Sequence, residues 1–190
     1  AGPSTVNDKL MVHYIATVCS FFGIGMAASA LPFYLTKSLG APAQIVPLII
    51  LGFFLASAIS SAKLSSKITA VTPLRALAMA IAFRAFCLLL IPVLGHFLPP
   101  FSAILVTGGL IALTGGAGGI MSVASAIRVA TLAHPRRHGA AMGLLSASTN
   151  LGALLGALAG GLIGSFYPLA AIFFLGALIA ALGCILLLKL

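Results

Sequence analysis

Six long runs of apolar residues constrain what this chain can fold into more than any other feature. A helix needs about 20 apolar residues to cross roughly 30 Å of hydrocarbon, and each run is long enough. The chain is 62% hydrophobic and 6% charged, too apolar for a water-soluble core. We therefore predict an all-α membrane protein with six transmembrane helices. Their approximate ranges are 11–35, 43–62, 74–94, 101–127 with a helical continuation to 132, 140–166 and 168–188.

Loop charge predicts the orientation of these spans. Eight of the ten basic residues share one side of the membrane: Lys9, Lys63, Lys67, Arg75, Arg128, Arg136, Arg137 and Lys189. The other side receives only Lys37, and Arg84 lies inside the third span. The positive-inside rule makes the basic side, and with it both termini, cytoplasmic. Because almost no aromatic residues accompany these charges, anionic lipid is a better partner for them than nucleic acid.

The six spans form two groups of three. The first three begin near residues 11, 43 and 74, and the next three near 101, 140 and 168. Because three is an odd number of crossings, the second group must lie in the membrane with the opposite orientation, as in the inverted repeats of many transporters. We predict a single six-helix domain over residues 1–190, with one repeat over about 11–94 and another over about 101–188.

The fifth span carries small residues at every fourth position. This spacing places them on one slowly winding row of a helix, where another backbone can approach closely. Glycine weakens a helix in water by about 1 kcal/mol relative to alanine, but in lipid the backbone has no competing hydrogen-bond partner. The row predicts either a fixed helix contact or a face that also slides during function. It consists of Ser148, Gly152, Gly156, Gly160 and Gly164.

The segment 128–164 resembles the region of the fourth and fifth helices of the major facilitator superfamily. The matching residues are the basic loop Arg136-Arg137 with Gly139, then Gly143, and then Asn150-Leu151-Gly152 followed by Gly156 and Gly160-Gly161. The family's antiporter motif has a Gly-Pro pair in this helix, whereas Ala157 stands at the proline position here. Without proline the expected kink is lost, so the chain departs from the antiporter pattern.

The loop between the second and third spans also departs from the family's signature, G-x-L-A-D-R-x-G-R-R. Residues 62–71 read AKLSSKITAV, in which Leu64 and Lys67 fit and Ser66 stands at the position of the acid. The latch that the family implies between this acid and a helix end cannot form from this loop. Such degenerate signatures look more like the second half of a transporter, and the resemblance implies one six-helix half of a twelve-helix fold.

Four polar residues inside the spans are candidates for a substrate path or for buried polar contacts. Arg84 lies near mid-membrane, where arginine costs about 2.5–3.5 kcal/mol on insertion scales. The chain's single acid, Asp8, precedes the first span. Arg84 therefore pairs with helix carbonyls, hydroxyls, lipid phosphate, a second chain or an anionic ligand, unless it extends to the membrane surface. Asn150, Thr149 and Thr114 either bridge helices or line a polar path.

No catalytic or metal-binding pattern emerges from the sequence. One acid excludes a carboxylate pair, and no Ser-His-Asp or Cys-His grouping lies on one side of the membrane. The three cysteines fall inside separate spans without metal-ligand spacing. The glycine run 115–119 lacks the Lys-Ser/Thr that follows a phosphate-binding loop. We therefore expect no enzymatic activity, no metal and no cofactor.

Two functions remain open. In the first, the chain is half of a secondary transporter and moves a small solute together with another half. In the second, it is a transport-inactive structural subunit of a larger membrane complex. Both need membrane lipid and another membrane protein chain as partners, and we expect the partner to cover the side that carries Arg84. The expected location is an integral position in a bacterial inner membrane.

The predicted orientation can be tested with a thiol reagent that does not cross membranes. Cysteine at position 66 (Ser66→Cys) is expected to stay unlabelled in intact cells, and cysteine at position 98 (Leu98→Cys) to react, because the first lies in the basic loop and the second in the uncharged one. Labelling of Ser66→Cys from outside would refute the orientation.

Overall fold

The computed structural model of the chain describes residues 3–68 and 72–188, and every regular element in these ranges is helical. Six of the helices are long and apolar enough to cross a membrane, which confirms the predicted class. The six are α1 Pro3–Phe33, α2 Ile45–Ile68, α3 Pro73–Phe97, α4 Pro100–Leu132, α5 His138–Phe166 and α6 Leu169–Leu188.

Proline and glycine set several of the helix ends. Helices α3 and α4 begin on proline, whose missing N–H costs nothing in the first turn. Helix α1 continues past Pro32 into a π-helical turn, Tyr34–Ser38. Gly40 then adopts a φ of +68°, which glycine tolerates without a steric penalty. Proline and glycine therefore occur where the chain must turn back into the membrane.

Two helices are longer than the sequence analysis predicts. Helix α1 begins at residue 3 rather than near residue 11, and α2 continues to residue 68 rather than ending near residue 62. Segment 63–68 contains neither glycine nor proline, so nothing in it ends the helix. The length of an apolar run predicts only the part of a helix that crosses the hydrocarbon. The whole helix is longer because it extends into the polar interface.

The helix pairings of the first three helices mirror those of the last three. Helix α1 packs on α5 and α6, α4 packs on α2 and α3, and α3 meets α6. Exchanging α1 with α4, α2 with α5 and α3 with α6 reproduces this set of pairs, as expected for an inverted repeat. The pairing supports the division into residues 11–94 and 101–188, which remains a prediction.

Two apolar clusters fill the interior of the six-helix unit. One contains Leu35, Ile91 and Phe173. The other contains Ile81 and Met121 and brings α3 and α4 together. The polar residues described below lie beside this second cluster.

The glycine row of α5 lies directly on the backbone of α1. A Cβ added at Gly156 would meet the carbonyl oxygen of Phe22 and would lie 2.9 Å from the Cα of that residue. Gly152 lies in the same way over Val18, and Gly160 lies over Met26. The contacts advance by four residues on both helices, so α1 and α5 run parallel with their backbones touching.

The two ends of the row differ from its centre. Ser148 is buried and donates a hydrogen bond of 2.8 Å to the carbonyl oxygen of Leu144. Gly164 faces the side chains of Ile172 and Leu169 instead of the backbone of α1. The close contact with α1 therefore ends near Gly160, and a sliding function of this face stays a prediction.

A similar contact holds α2 against α4. A Cβ added at Gly115 would meet the carbonyl oxygen of Phe53, and one added at Gly119 would meet that of Ser57. These contacts also advance by four residues on both helices. Gly115 and Gly119 therefore serve the packing of α4 on α2.

Gly156→Leu is expected to destabilise the protein, because four added carbons would occupy the space of the α1 backbone. The overpacking cost is about 1–3 kcal/mol or more, measured as a lower melting temperature in detergent. Gly161→Leu is the matched control, since nothing lies within 4 Å of a Cβ added there. Equal melting temperatures for the two variants would show that the row is not a close contact.

Candidate functional site

Buried polar side chains concentrate on α1 and α4. Seven of the nine buried polar residues in the described ranges belong to these two helices. Their spacings of three, four, seven and eleven residues place each set on one face of its helix. The α1 set is His13, Thr17 and Ser20, and the α4 set is Thr107, Thr114, Ser125 and Arg128.

The two polar faces meet at a seam between α1 and α4. The Ser20 hydroxyl lies 3.9 Å from the sulfur of Met121, which fixes the relative height of the helices. Helices α1 and α4 cross the membrane in opposite directions. His13 lies seven residues before Ser20 on α1, and Arg128 lies seven residues after Met121 on α4. Because the helices are antiparallel, both steps move about 10 Å in the same direction along the helix axes. His13 and Arg128 therefore lie at the same level along the helix axes.

Arg84 inserts its guanidinium into the same seam from α3. Nη1 lies 3.5 Å from the sulfur of Met121, and the guanidinium lies 5.5 Å from the ring centre of Phe21. Gly118 lies beside it, and a Cβ added there would be in ordinary van der Waals contact with Nη2, at 3.5 Å. The residue is 2% exposed. Arg84 is therefore enclosed by α1, α3 and α4 and does not reach the surface of the unit.

This enclosure corrects one expectation from the sequence. A partner chain is not needed to cover Arg84, because the helices of this chain already do so. A thioether and an aromatic ring are weak partners for a buried charge, and the Nε atom of Arg84 makes no hydrogen bond. The residue remains a cation without a matching anion.

His13 and Arg128 are likewise buried, and each has unpaired nitrogen atoms. His13 is 0% exposed, and both of its ring nitrogens lack a hydrogen bond. Arg128 is 8% exposed, and its Nε atom is also unpaired. By the register of α1 and α4, Arg128 lies at the level of the His13 ring. The chain's single acid, Asp8, is exposed at the start of the first span, outside this seam.

The structure separates the polar residues that the sequence singles out. Arg84 and Thr114 are buried on the inner faces of α3 and α4, and the Thr114 hydroxyl donates a 2.8 Å hydrogen bond to the carbonyl of Ile111. Asn150 is exposed on α5, and Thr149 is half-buried with its hydroxyl bonded to the carbonyl of Ser146. The four therefore do not form one site.

The basic loop residues are partly described. Lys63, Arg136 and Arg137 are exposed, whereas the side chain of Lys67 lies outside the described residues. Arg136, Arg137 and His134 line an open cavity of about 940 Å³ between the ends of α1, α4 and α5. The apolar part of its wall includes Leu10, Met11, Leu132 and Leu144. The cavity opens at the membrane side that the charge pattern predicts to be cytoplasmic.

Sequence reasoning missed His13 and Arg128 as members of a buried site. Both lie near span ends, where basic residues usually face the interface. The available signal was the spacing of seven residues from His13 to Ser20 and from Met121 to Arg128, which places each residue on the inner face of its helix.

Comparison with known proteins identifies a family. The model of the Major Facilitator Superfamily matches residues 14–190, nearly the whole chain. A search of curated proteins finds no significant match.

Arg84→Met is expected to be as stable as the parent or more stable, because methionine fills similar space without a buried charge. Arg84→Ala is expected to lose about 2–4 kcal/mol, because it leaves a cavity. The melting temperatures of the purified variants in one detergent test both expectations. A methionine variant that is as unstable as the alanine variant would show that the guanidinium itself holds the helices together.

Proposed function

Because the chain belongs to the major facilitator superfamily, whose members are transporter-type membrane proteins, we propose that it is one six-helix half of a secondary transporter. Together with another half it encloses a path for a small solute. The observation that carries this proposal is an exposed polar patch in the middle of α5, composed of Ser146 and Asn150.

Polar side chains in lipid-facing positions are unfavourable. Asn150 lies 12 residues into the 29-residue helix α5, about 18 Å from its start and thus deep in the hydrocarbon region. An exposed amide at this depth lacks the water or backbone partners that would satisfy it. A second set of helices packed on this face would supply such partners. The six helices are therefore one side of a larger membrane unit.

The other half would also supply the protonatable groups that couple solute transport to a proton gradient. Proton-coupled carriers generally use a carboxylate inside the membrane, and the single acid of this chain lies at the edge of the first span. A proton-coupled mechanism would therefore depend on acids of the partner. The buried basic residues of this chain would instead act on the charge of the solute.

A second candidate function is that of a transport-inactive subunit in a larger assembly. Ser66 in place of the signature acid and Ala157 in place of the motif proline favour it. Both departures remove devices that the family uses for conformational change, while the helix packing that holds the fold is retained. In this function the exposed face of α5 would be a static contact.

Asn150→Trp is expected to release the chain from its partner, because a bulky ring would separate the contacting helices. After extraction in mild detergent, the parent should give a native mass above the 19.1 kDa of one chain, and the variant a lower one. Leu182→Trp, on the exposed face of α6, is the control and should leave the mass unchanged. A parent that is a stable single chain would contradict both functions.

A flux measurement in lipid vesicles distinguishes the two proposed functions. The intact assembly, reconstituted in liposomes, should move at least one member of a panel of labelled sugars, amino acids and small carboxylates if it transports. Loss of that flux in Asn150→Trp would tie transport to the contact of α5. A stable assembly that moves none of the panel would favour the inactive subunit.

A further inference from the structure

We propose that His13 and Arg128 form a binding site for a small anion at the seam between α1 and α4. The occupant would be of the size and charge of chloride or nitrate. The site lies about 10 Å from the level of Arg84, at the end of the helices where the basic cavity is found. Nothing in the family match assigns these residues, and binding can be measured whether or not the chain transports.

The first support is the identity of the unpaired atoms. In residues 3–68 and 72–188, the buried side-chain polar atoms without a partner are Nδ1 and Nε2 of His13, Nε of Arg84 and Nε of Arg128. All of them belong to basic residues. Buried polar groups normally find partners, and a guanidinium donates through nitrogen atoms only. The two Nε–H groups need a partner that accepts hydrogen bonds, and an anion is the strongest acceptor for a guanidinium.

The second support is that the chain cannot provide that negative charge itself. Its single acid is exposed at the start of the first span. The Arg128 guanidinium keeps its charge, and a buried charge without a counter-ion is unfavourable. An anion held by the guanidinium and by one imidazole N–H would neutralise the charge of Arg128 and satisfy one ring nitrogen of His13. Ser125, one turn before Arg128 and buried, would add a hydroxyl on the same face.

The third support is a route from the surface. Tyr14, next to His13, and Leu132, one turn beyond Arg128, both line the open cavity of about 940 Å³. The same cavity is lined by His134, Arg136 and Arg137. A concave basic surface raises the local concentration of anions. The proposed route runs from this cavity past Tyr14 and Leu132 to His13 and Arg128, which do not themselves line it.

The burial of the two residues limits the size of the occupant. His13 is 0% exposed and Arg128 is 8% exposed, so no large headgroup fits between them without moving the helices. The apolar wall of the cavity suits a lipid chain, but the seam beyond it does not. Small anions are the class that matches both the charge and the space.

Thermal unfolding of the purified protein, with any partner that co-purifies, tests the proposal. Sodium nitrate and sodium chloride are titrated against sodium gluconate at constant ionic strength, because gluconate is too large for the seam. The melting temperature of the parent should rise saturably by several degrees with nitrate or chloride and stay flat with gluconate, since a ligand that binds only the folded state stabilises it. An equal response to all three salts would overturn the proposal.

Arg128→Gln should abolish the nitrate response while leaving a measurable melting transition. Arg75→Gln, which removes an exposed arginine at the start of α3, is the matched control and should keep the full response. Arg128→Lys retains the charge without the planar fork and should weaken apparent nitrate affinity roughly tenfold. A full nitrate response in Arg128→Gln would refute the site.

If Arg128→Gln does not fold, His13→Asn and the lysine variant replace it, and the parent titration alone still decides whether a saturable small-anion site exists. The outcome is separable from the proposed function. Nitrate binding in an assembly that moves no solute would support the site and contradict transport. Transport without any saturable anion effect would support the proposed function and contradict the anion site.

Discussion

Backbone contact between helices is the interaction on which this fold depends. Lipid chains are as apolar as leucine, so no hydrophobic force drives one membrane helix onto another, and dispersion at close approach has to hold them. Glycine makes that approach possible, with Gly156 over Phe22 between α1 and α5, and Gly115 over Phe53 between α4 and α2. These contacts hold α1 and α4 from their outer sides and leave their polar faces directed inward.

In the described part of the chain, the buried charged side chains are all positive. Arg84 and Arg128 bring positive charge into the protein, and the single acid stays exposed at the edge of the first span. Removing a charge from water costs several kcal/mol when nothing compensates it, so these residues do not contribute to stability as an ion pair would. The close helix packing must offset their cost. A positive interior also favours the entry of anions and opposes that of cations.

The sequence predicts the six spans and the glycine row, because apolar length and four-residue spacing are local properties. It does not predict which polar residues meet. In a membrane helix the lipid-facing side is as apolar as the buried side, so periodicity does not separate them, and Asn150 proves exposed while Arg128 proves buried. Arg128 lies in the helical continuation that the sequence predicts beyond the fourth span, where a charge is expected to face the interface, but the structure places it on the buried side of α4. Helix pairing, a non-local property, decides both cases.

The packing groups do not coincide with the sequence repeats. Helix α1 packs with α5 and α6, α4 packs with α2 and α3, and the principal contact between the two groups is that of α3 with α6. Helices α1 and α4 touch in few places. A rotation about the contact between α3 and α6 would therefore widen the seam without breaking either glycine contact. Rigid-body rocking of this kind is how inverted-repeat transporters move, and here it would change the distance between α1 and α4 at the level of His13 and Arg128.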